Sequence, residues 1–108
     1  MILLVLPSFL RYSTKWQAIA LYPFVIVKEP SLKNDIFLLN HEKIHLRQQE
    51  ELLILPFYLM YVANFLYNLA RYRDVDKAYY EILFEQEAYR FEKNLDYLKH
   101  RKPFACFR

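Results

Sequence analysis

Hydrophobic and polar positions repeat with different periods in different parts of the chain. Residues 17–28, QAIALYPFVIVK, are rich in β-formers, and PFVIVK within them reads as one strand at the edge or end of a short sheet. The polar run EPSLKND (29–35) follows as a loop, and Asn34 or Asp35 is placed to cap a helix. From there the period lengthens. Leu38, His41, His45, Gln48 and Leu52 recur at three- and four-residue steps, while Lys43, Arg47 and Glu50 fall on the opposite side. That spacing predicts an amphipathic helix over 36–55 with both histidines on its packed face. Pro56 then ends this helix, kinks it, or opens the next, and a second helix covers 57–72.

RYRDVDK (71–77) is a charged connection with Asp74 or Asp76 as the next cap, and a third helix runs over 77–99. On it Tyr80, Phe84, Ala88, Phe91, Leu95 and Leu98 form one apolar stripe, and Ala78, Ile82 and Tyr89 a second beside it. Together they give a buried arc of roughly 200°. The tail RKPFACFR is expected to be extended, packing Phe104 and Phe107. The expected fold is α+β and mostly α: short N-terminal β-strands followed by three helices, in a single domain over 1–108.

Composition narrows the classes. The chain has 108 residues, 56% hydrophobic and 19% aromatic, with no glycine. This is too apolar for disorder, and the lack of glycine disfavours a turn-rich β-sandwich. Helices are therefore expected to end at Asn, Asp or Pro. The net charge of +3 is mild and interleaved in sign, which argues against a nucleic-acid interface. A single cysteine, Cys106, excludes an internal disulfide and a cysteine-based zinc cluster.

The string LLNHEKIHLRQQEELL (38–53) carries the chemistry. Four residues turn a helix by about 400°, so His41 and His45 stand within about 40° of each other, one turn apart. Two imidazoles so placed can reach one ion. A catalytic zinc takes three protein ligands and keeps one open position. Glu42, beside the first histidine, can reach a metal-activated water without occupying the coordination sphere, and can serve as its general base.

A third ligand must come from elsewhere. His100 lies in a charged KHRKP run that reads as a solvated helix end. Glu81, Glu85 and Glu92 project inside the buried arc of the third helix, and Glu87 lies at its edge. A carboxylate among apolar neighbours is costly unless paired or metal-bound. Periodicity does not choose among the three, and carboxylates paired with Arg, Lys or Tyr are the plainer alternative.

HEKIH followed forty residues later by FEQEAY resembles the gluzincin branch of zinc metallopeptidases, and more closely the minimal, single-domain minigluzincin type. The resemblance spans residues from about Phe24 to Tyr89. It implies His41 and His45 as zinc ligands, Glu42 as general base and acid, and Glu85 as third ligand. It also implies PFVIVK as the edge strand that pairs with an extended peptide or protein substrate. One departure is that Tyr89 stands where many relatives carry Asp. Tyr89 can hydrogen-bond a ligand or an oxyanion but cannot supply the charge that orients a ligating histidine. The resemblance is more specific for the fold than for turnover, so a zincin-fold interaction or regulatory module with little activity is the alternative to a peptidase.

Two apolar stretches bear on membranes. MILLVLPSFL (1–10) lacks a basic leader and contains Pro7, matching neither a full signal peptide nor a spanning helix. Residues 52–70 approach the roughly 20-residue span length, whereas Pro56, Asn64, Asn68 and the tyrosines suit a buried or interfacial helix. Membrane association through 52–70 and a homodimer both stay open. No compartment is fixed, although the cytoplasm is favoured.

Overall fold

The computed structural model describes residues 1–7 and 16–107. The end of the 1–10 stretch and the terminal Arg108 fall outside the described residues. Three short strands, β1 (Ile2–Val5), β2 (Ala18–Leu21) and β3 (Phe24–Val27), form a sheet of order β1-β3-β2. β1 pairs in parallel with β3, Ile2 opposite Phe24, and β2 pairs antiparallel with it, Leu21 opposite Phe24. β3 is thus the central strand, which corrects the expectation that PFVIVK is an edge. Its continuous FVIV run fits that place, with Val25 and Val27 fully buried. Among the described residues, the unpaired sheet edge that faces α1 is that of β2.

A 3-10 turn, Pro30–Asn34, replaces the expected loop and leads into α1 (Ile36–Leu52). Asp35 caps α1, its Oδ1 accepting the Leu38 N–H at 3.1 Å. Only Lys43, Arg47 and Glu50 are exposed between Asn40 and Glu50, so the predicted facing of α1 holds. Pro56 is the third residue of α2 (Ile54–Tyr72), in the first turn where a missing N–H costs no helical bond. The two helices bend by 113° at Leu53.

The helix ends correct one expectation. With no glycine available, the chain reverses at Leu53 (φ 62) and at Arg73 (φ 55, ψ 32) rather than at Asn, Asp or Pro. At Arg73 the left-handed residue donates its N–H to the Leu69 carbonyl at 2.8 Å, closing α2 as glycine would elsewhere. A side chain in this region costs roughly 1–2 kcal/mol.

The third helix is not continuous. It divides into α3 (Val75–Tyr80), α4 (Leu83–Phe91) and α5 (Tyr97–His100). Asp74 caps α3 by accepting from Asp76 and Lys77. Ile82 turns to an extended conformation (ψ 131) and is fully buried in a core cluster with Phe57, Phe84 and Cys106. This break resets the helical phase, so Glu81 and Tyr80 are exposed while Glu87, expected at the arc's edge, is buried. The tail folds back: Cys106 is buried, whereas Phe104 and Phe107 are nearly half exposed. Anchoring thus comes from the cysteine and, as shown below, from Arg101.

A second core cluster, Ala20, Val25, Val27 and Leu46, joins the sheet to α1. α2 sits on α3 and α4 through its asparagines. Asn64 accepts the Leu83 N–H at 2.9 Å, and Asn68 donates to the Ala78 carbonyl at 3.1 Å. The opposite face of α2 presents Leu55, Leu59, Val62 and Leu66, all more than half exposed. No single described helix is long and apolar enough to cross a membrane; α1 and α2 meet that test only as a bent pair.

Candidate metal centre

α1 and α4 pack side by side, which brings His41, His45 and Glu85 together, all buried. His41 Nε2 lies 3.1 Å from Glu85 Oε1, His45 Nε2 lies 2.9 Å from the same oxygen, and the two Nε2 atoms are 3.2 Å apart. Ligand atoms about 2.0–2.1 Å from one tetrahedral ion would stand roughly 3.4 Å from each other. The three donor atoms therefore form a triangle close to the size of one coordination face.

The outer nitrogens decide what the inner ones carry. His45 Nδ1 faces Gln48 Oε1 at 2.9 Å. The Gln48 amide is oriented by its nitrogen, which donates to Glu87 Oε1 at 2.9 Å and to the Phe84 carbonyl at 3.1 Å. His41 Nδ1 faces Glu92 Oε2 at 3.0 Å. Both Nδ1 atoms meet acceptors and so carry the hydrogen, which leaves both Nε2 lone pairs pointing inward. Two lone pairs and a carboxylate oxygen then converge with no donor among them, an arrangement that needs a cation. A metal ion could occupy this point. Without one, a proton must do so. Burial alone would depress the His45 pKa, but the charge and hydrogen bond of Glu85 outweigh it and raise the value to about 9. Burial likewise opposes ionisation of Glu85, and His45, His41 and Tyr61 overcome it, holding the carboxyl well below its usual range.

Tyr61, on α2, donates its hydroxyl to Glu85 Oε2 at 2.7 Å. That bond engages one carboxylate oxygen and leaves Oε1 for the convergent point. Burial and the neighbouring Glu85 charge raise the Tyr61 pKa, so the phenol stays a donor.

Glu42 is 5% exposed, and among the described residues no hydrogen bond holds its carboxylate. Burial raises its pKa, against the pull of His45 and His41. It lines a cavity of about 360 Å³ with His45, Glu85, Tyr61 and the β2 residues Ala18 and Ala20. A second cavity, about 700 Å³, lies on the His41 side and is lined by Glu42, Tyr89 and Glu92. Glu42 and Tyr79 border both.

The other sequence candidates are placed elsewhere. Glu81 and His100 are exposed. Glu87 points away from the histidines, accepting from Arg101 Nε at 2.5 Å, Tyr97 at 2.6 Å and Gln48. Glu92 takes the outer nitrogen of His41, so the carboxylate whose absence Tyr89 signalled comes from three residues further along. Tyr89 hydrogen-bonds none of His41, His45 and Glu85. Its hydroxyl meets that of Tyr79 at 3.2 Å, and its ring stands edge-on to His41 at 4.5 Å. Burial pushes the Tyr89 phenol up to about 12.

Sequence reading placed Gln48 on the packed stripe without a role, and missed Tyr61, Gln49 and Arg101. Gln48, three residues after His45, had a readable signal in its face; the other three depend on tertiary contacts. Gln49 donates to the Ala20 carbonyl at 2.8 Å and accepts the Tyr22 N–H at 2.8 Å, fixing α1 against β2. Comparison with models of known protein families, with curated proteins and with solved structures finds no match.

Proposed function

We propose that the chain is a small zinc-dependent metallopeptidase of gluzincin type, in which His41, His45 and Glu85 hold the metal. The observation that carries this reading is the convergence of three lone-pair donors beside a buried carboxylate that nothing described holds in place. Nitrogen and carboxylate donors at these distances suit zinc. When bound, zinc supplies Lewis acidity to a water and to a peptide carbonyl.

The remaining work falls to the chain's own groups. Glu42, whose pKa is raised by burial, accepts a proton from the attacking water and returns it to the leaving amine. Glu92 and Gln48 keep the histidines in the tautomer that binds. β2 offers the substrate an edge. The Lys28 N–H to Gln17 carbonyl bond (2.7 Å) and the register set residues 17, 19 and 21 toward β3, so Ala18 and Ala20 face outward. Gln49 already occupies the Ala20 carbonyl and the Tyr22 N–H, so an extended peptide pairs with Ala18 and the Ala20 N–H, beside Glu42 and the cavity.

The test is Glu42→Gln. It should retain one zinc per chain by metal analysis and lose cleavage of a peptide library by about 10²–10⁴-fold relative to wild type. Zinc-loaded Glu42→Gln cleaving at the wild-type rate would sink the mechanism.

The exposed face of α2 favours a second reading, in which the domain is an interaction module that lies on a lipid bilayer. No charged side chain interrupts residues 52–70, and the exposed Leu55, Leu59, Val62 and Leu66 give α2 one apolar face of the kind an interfacial helix lays into a bilayer. Wild type should float with vesicles of phosphatidylcholine and phosphatidylglycerol, and Leu59→Glu/Leu66→Glu should not. Dimerisation in solution without flotation would instead assign the face to a second copy.

A further inference from the structure

A buried chain of polar contacts runs from the C-terminal tail to the metal-facing histidine. Arg101 follows α5, and its side chain is 1% exposed. Its Nε and Nη2 donate to the two oxygens of Glu87 at 2.5 and 3.0 Å, and its Nη1 reaches Glu51 Oε2 at 2.9 Å. Glu87 Oε1 accepts from the Gln48 amide nitrogen, and Gln48 Oε1 accepts the Nδ1–H of His45. We propose that Arg101, acting through Glu87 and Gln48, is a positioning residue that holds His45 with its Nε2 lone pair free for the metal. This rests on the metal-centre reading above.

The argument turns on the two ends of an amide. Gln48 presents oxygen to His45 only while its nitrogen has acceptors on the far side, the Phe84 carbonyl and Glu87. A rotated amide would present N–H to Nδ1 and move the imidazole hydrogen to Nε2, where the metal must bind. Glu87 is a fixed acceptor because the planar guanidinium grips both its oxygens, a geometry that lysine cannot reproduce. Tyr97 adds a further donor at 2.6 Å. Without Arg101 the buried carboxylate has every reason to turn toward water, and the Gln48 nitrogen loses its charged acceptor. The spacing in the sequence follows: Glu85 and Glu87, two apart on α4, serve the inner and outer sides of His45, whose glutamine partner lies three residues on.

The test is a mutant cycle on the full chain, read as Zn²⁺ affinity in competition with a chromophoric chelator. Arg101→Met should weaken zinc binding about 10-fold, within the range for outer partners of a ligating histidine. Arg101→Lys should recover part of that loss. Gln48→Leu should weaken binding by itself, and Arg101→Met added to it should change the affinity less than about twofold. Unchanged zinc affinity in folded Arg101→Met, or an equal loss with and without Gln48→Leu, overturns the proposal. If Arg101→Met does not fold, Tyr97→Phe takes its place in the same cycle, with a loss of about threefold expected and the same outcomes deciding. If wild type binds no zinc, the metal reading fails, and the relay is judged on metal-free protein by NMR. The His45 Nδ1–H should then be protected from exchange in wild type and unprotected in Arg101→Met or Tyr97→Phe; equal protection in all three overturns it.

Discussion

Replacing Glu85 by glutamine tests the convergent point directly, because the amide can satisfy by itself what the carboxylate leaves open. In the wild-type arrangement one oxygen faces both Nε2 atoms, at 3.1 and 2.9 Å, and the other accepts from Tyr61. In Glu85→Gln an NH₂ group stands in the first place, with one hydrogen for each Nε2, while the amide oxygen keeps the Tyr61 bond. No cation is then needed. Zinc affinity should fall by more than the roughly 100-fold seen for outer partners, since a charged ligand is lost. Metal-free stability should change in the other sense at high pH. The folded-state pKa of His45 lies near 9, above its ordinary 6.5, so the His45–Glu85 pair stabilises the metal-free wild type fully below pH 6.5. That contribution is lost as pH rises through about 9, and its upper bound is about 3 kcal/mol. Glu85→Gln binds no extra proton and has nothing to lose over this interval. At about 4–8 °C per kcal/mol for a domain of this size, chelator-treated wild type should drop by up to about 12–24 °C more than the variant between pH 6.5 and 10. Thermal unfolding of both proteins with chelator reads the difference, and other titrating groups cancel in it. Parallel Tm curves, or a variant that holds zinc as tightly as wild type, would refute the reasoning.

Two further outcomes probe the frame around the site. Burial pushes the Cys106 thiol up to about 11, and the residue is 7% exposed. Alkylation by iodoacetamide at pH 8 should therefore be at least about 100-fold slower in native protein than in guanidinium chloride, by mass spectrometry. Equal rates would mean that the tail does not dock. Asp74→Ala removes the acceptor for two α3 N–H groups and should cost about 1 kcal/mol, lowering Tm by about 4–8 °C. A Tm within 1–2 °C of wild type would show that α3 needs no cap.

The sequence reads well wherever one element carries the whole signal. On α1 the three-and-four spacing placed His41, His45 and Gln48 inward and Lys43, Arg47 and Glu50 outward, because one unbroken helix keeps its phase. The same reasoning misplaced Glu81 and Glu87, since it assumed a single helix where Ile82 breaks the phase. Ile82 has no glycine or proline beside it; its extended backbone follows from burial against Phe57 and Phe84, a tertiary demand that local spacing does not record. β3 was misread as an edge because a four-residue apolar run looks the same with one neighbour or two. The role of Arg101 was hidden for another reason. In KHRKP it stands among charges that are solvated, and only the returning tail brings it under Glu51 and Glu87.

What separates this H-E-x-x-H from a chance pattern on a packed helix is the direction of the hydrogen bonds around it. Two histidines buried only for packing would be served by donors or by nearby carbonyls on whichever nitrogen lay closest, with no reason for their free lone pairs to meet. Here acceptors occupy both outer nitrogens, and the inner nitrogens face each other and a carboxylate at about 3 Å. At high pH, where the His45 proton is lost, an amide at the position of Glu85 would give a more stable metal-free core, as the glutamine variant is expected to demonstrate. The chain instead keeps three acceptors together and surrounds them with Glu92, Gln48, Glu87 and Arg101, which hold the acceptors in place. Such a polar network is favourable only when something positive sits at its centre. The fold as built is therefore conditional on that charge, whether a proton or a bound cation supplies it, and its loss should be felt by α1 and α4 together rather than by the site alone.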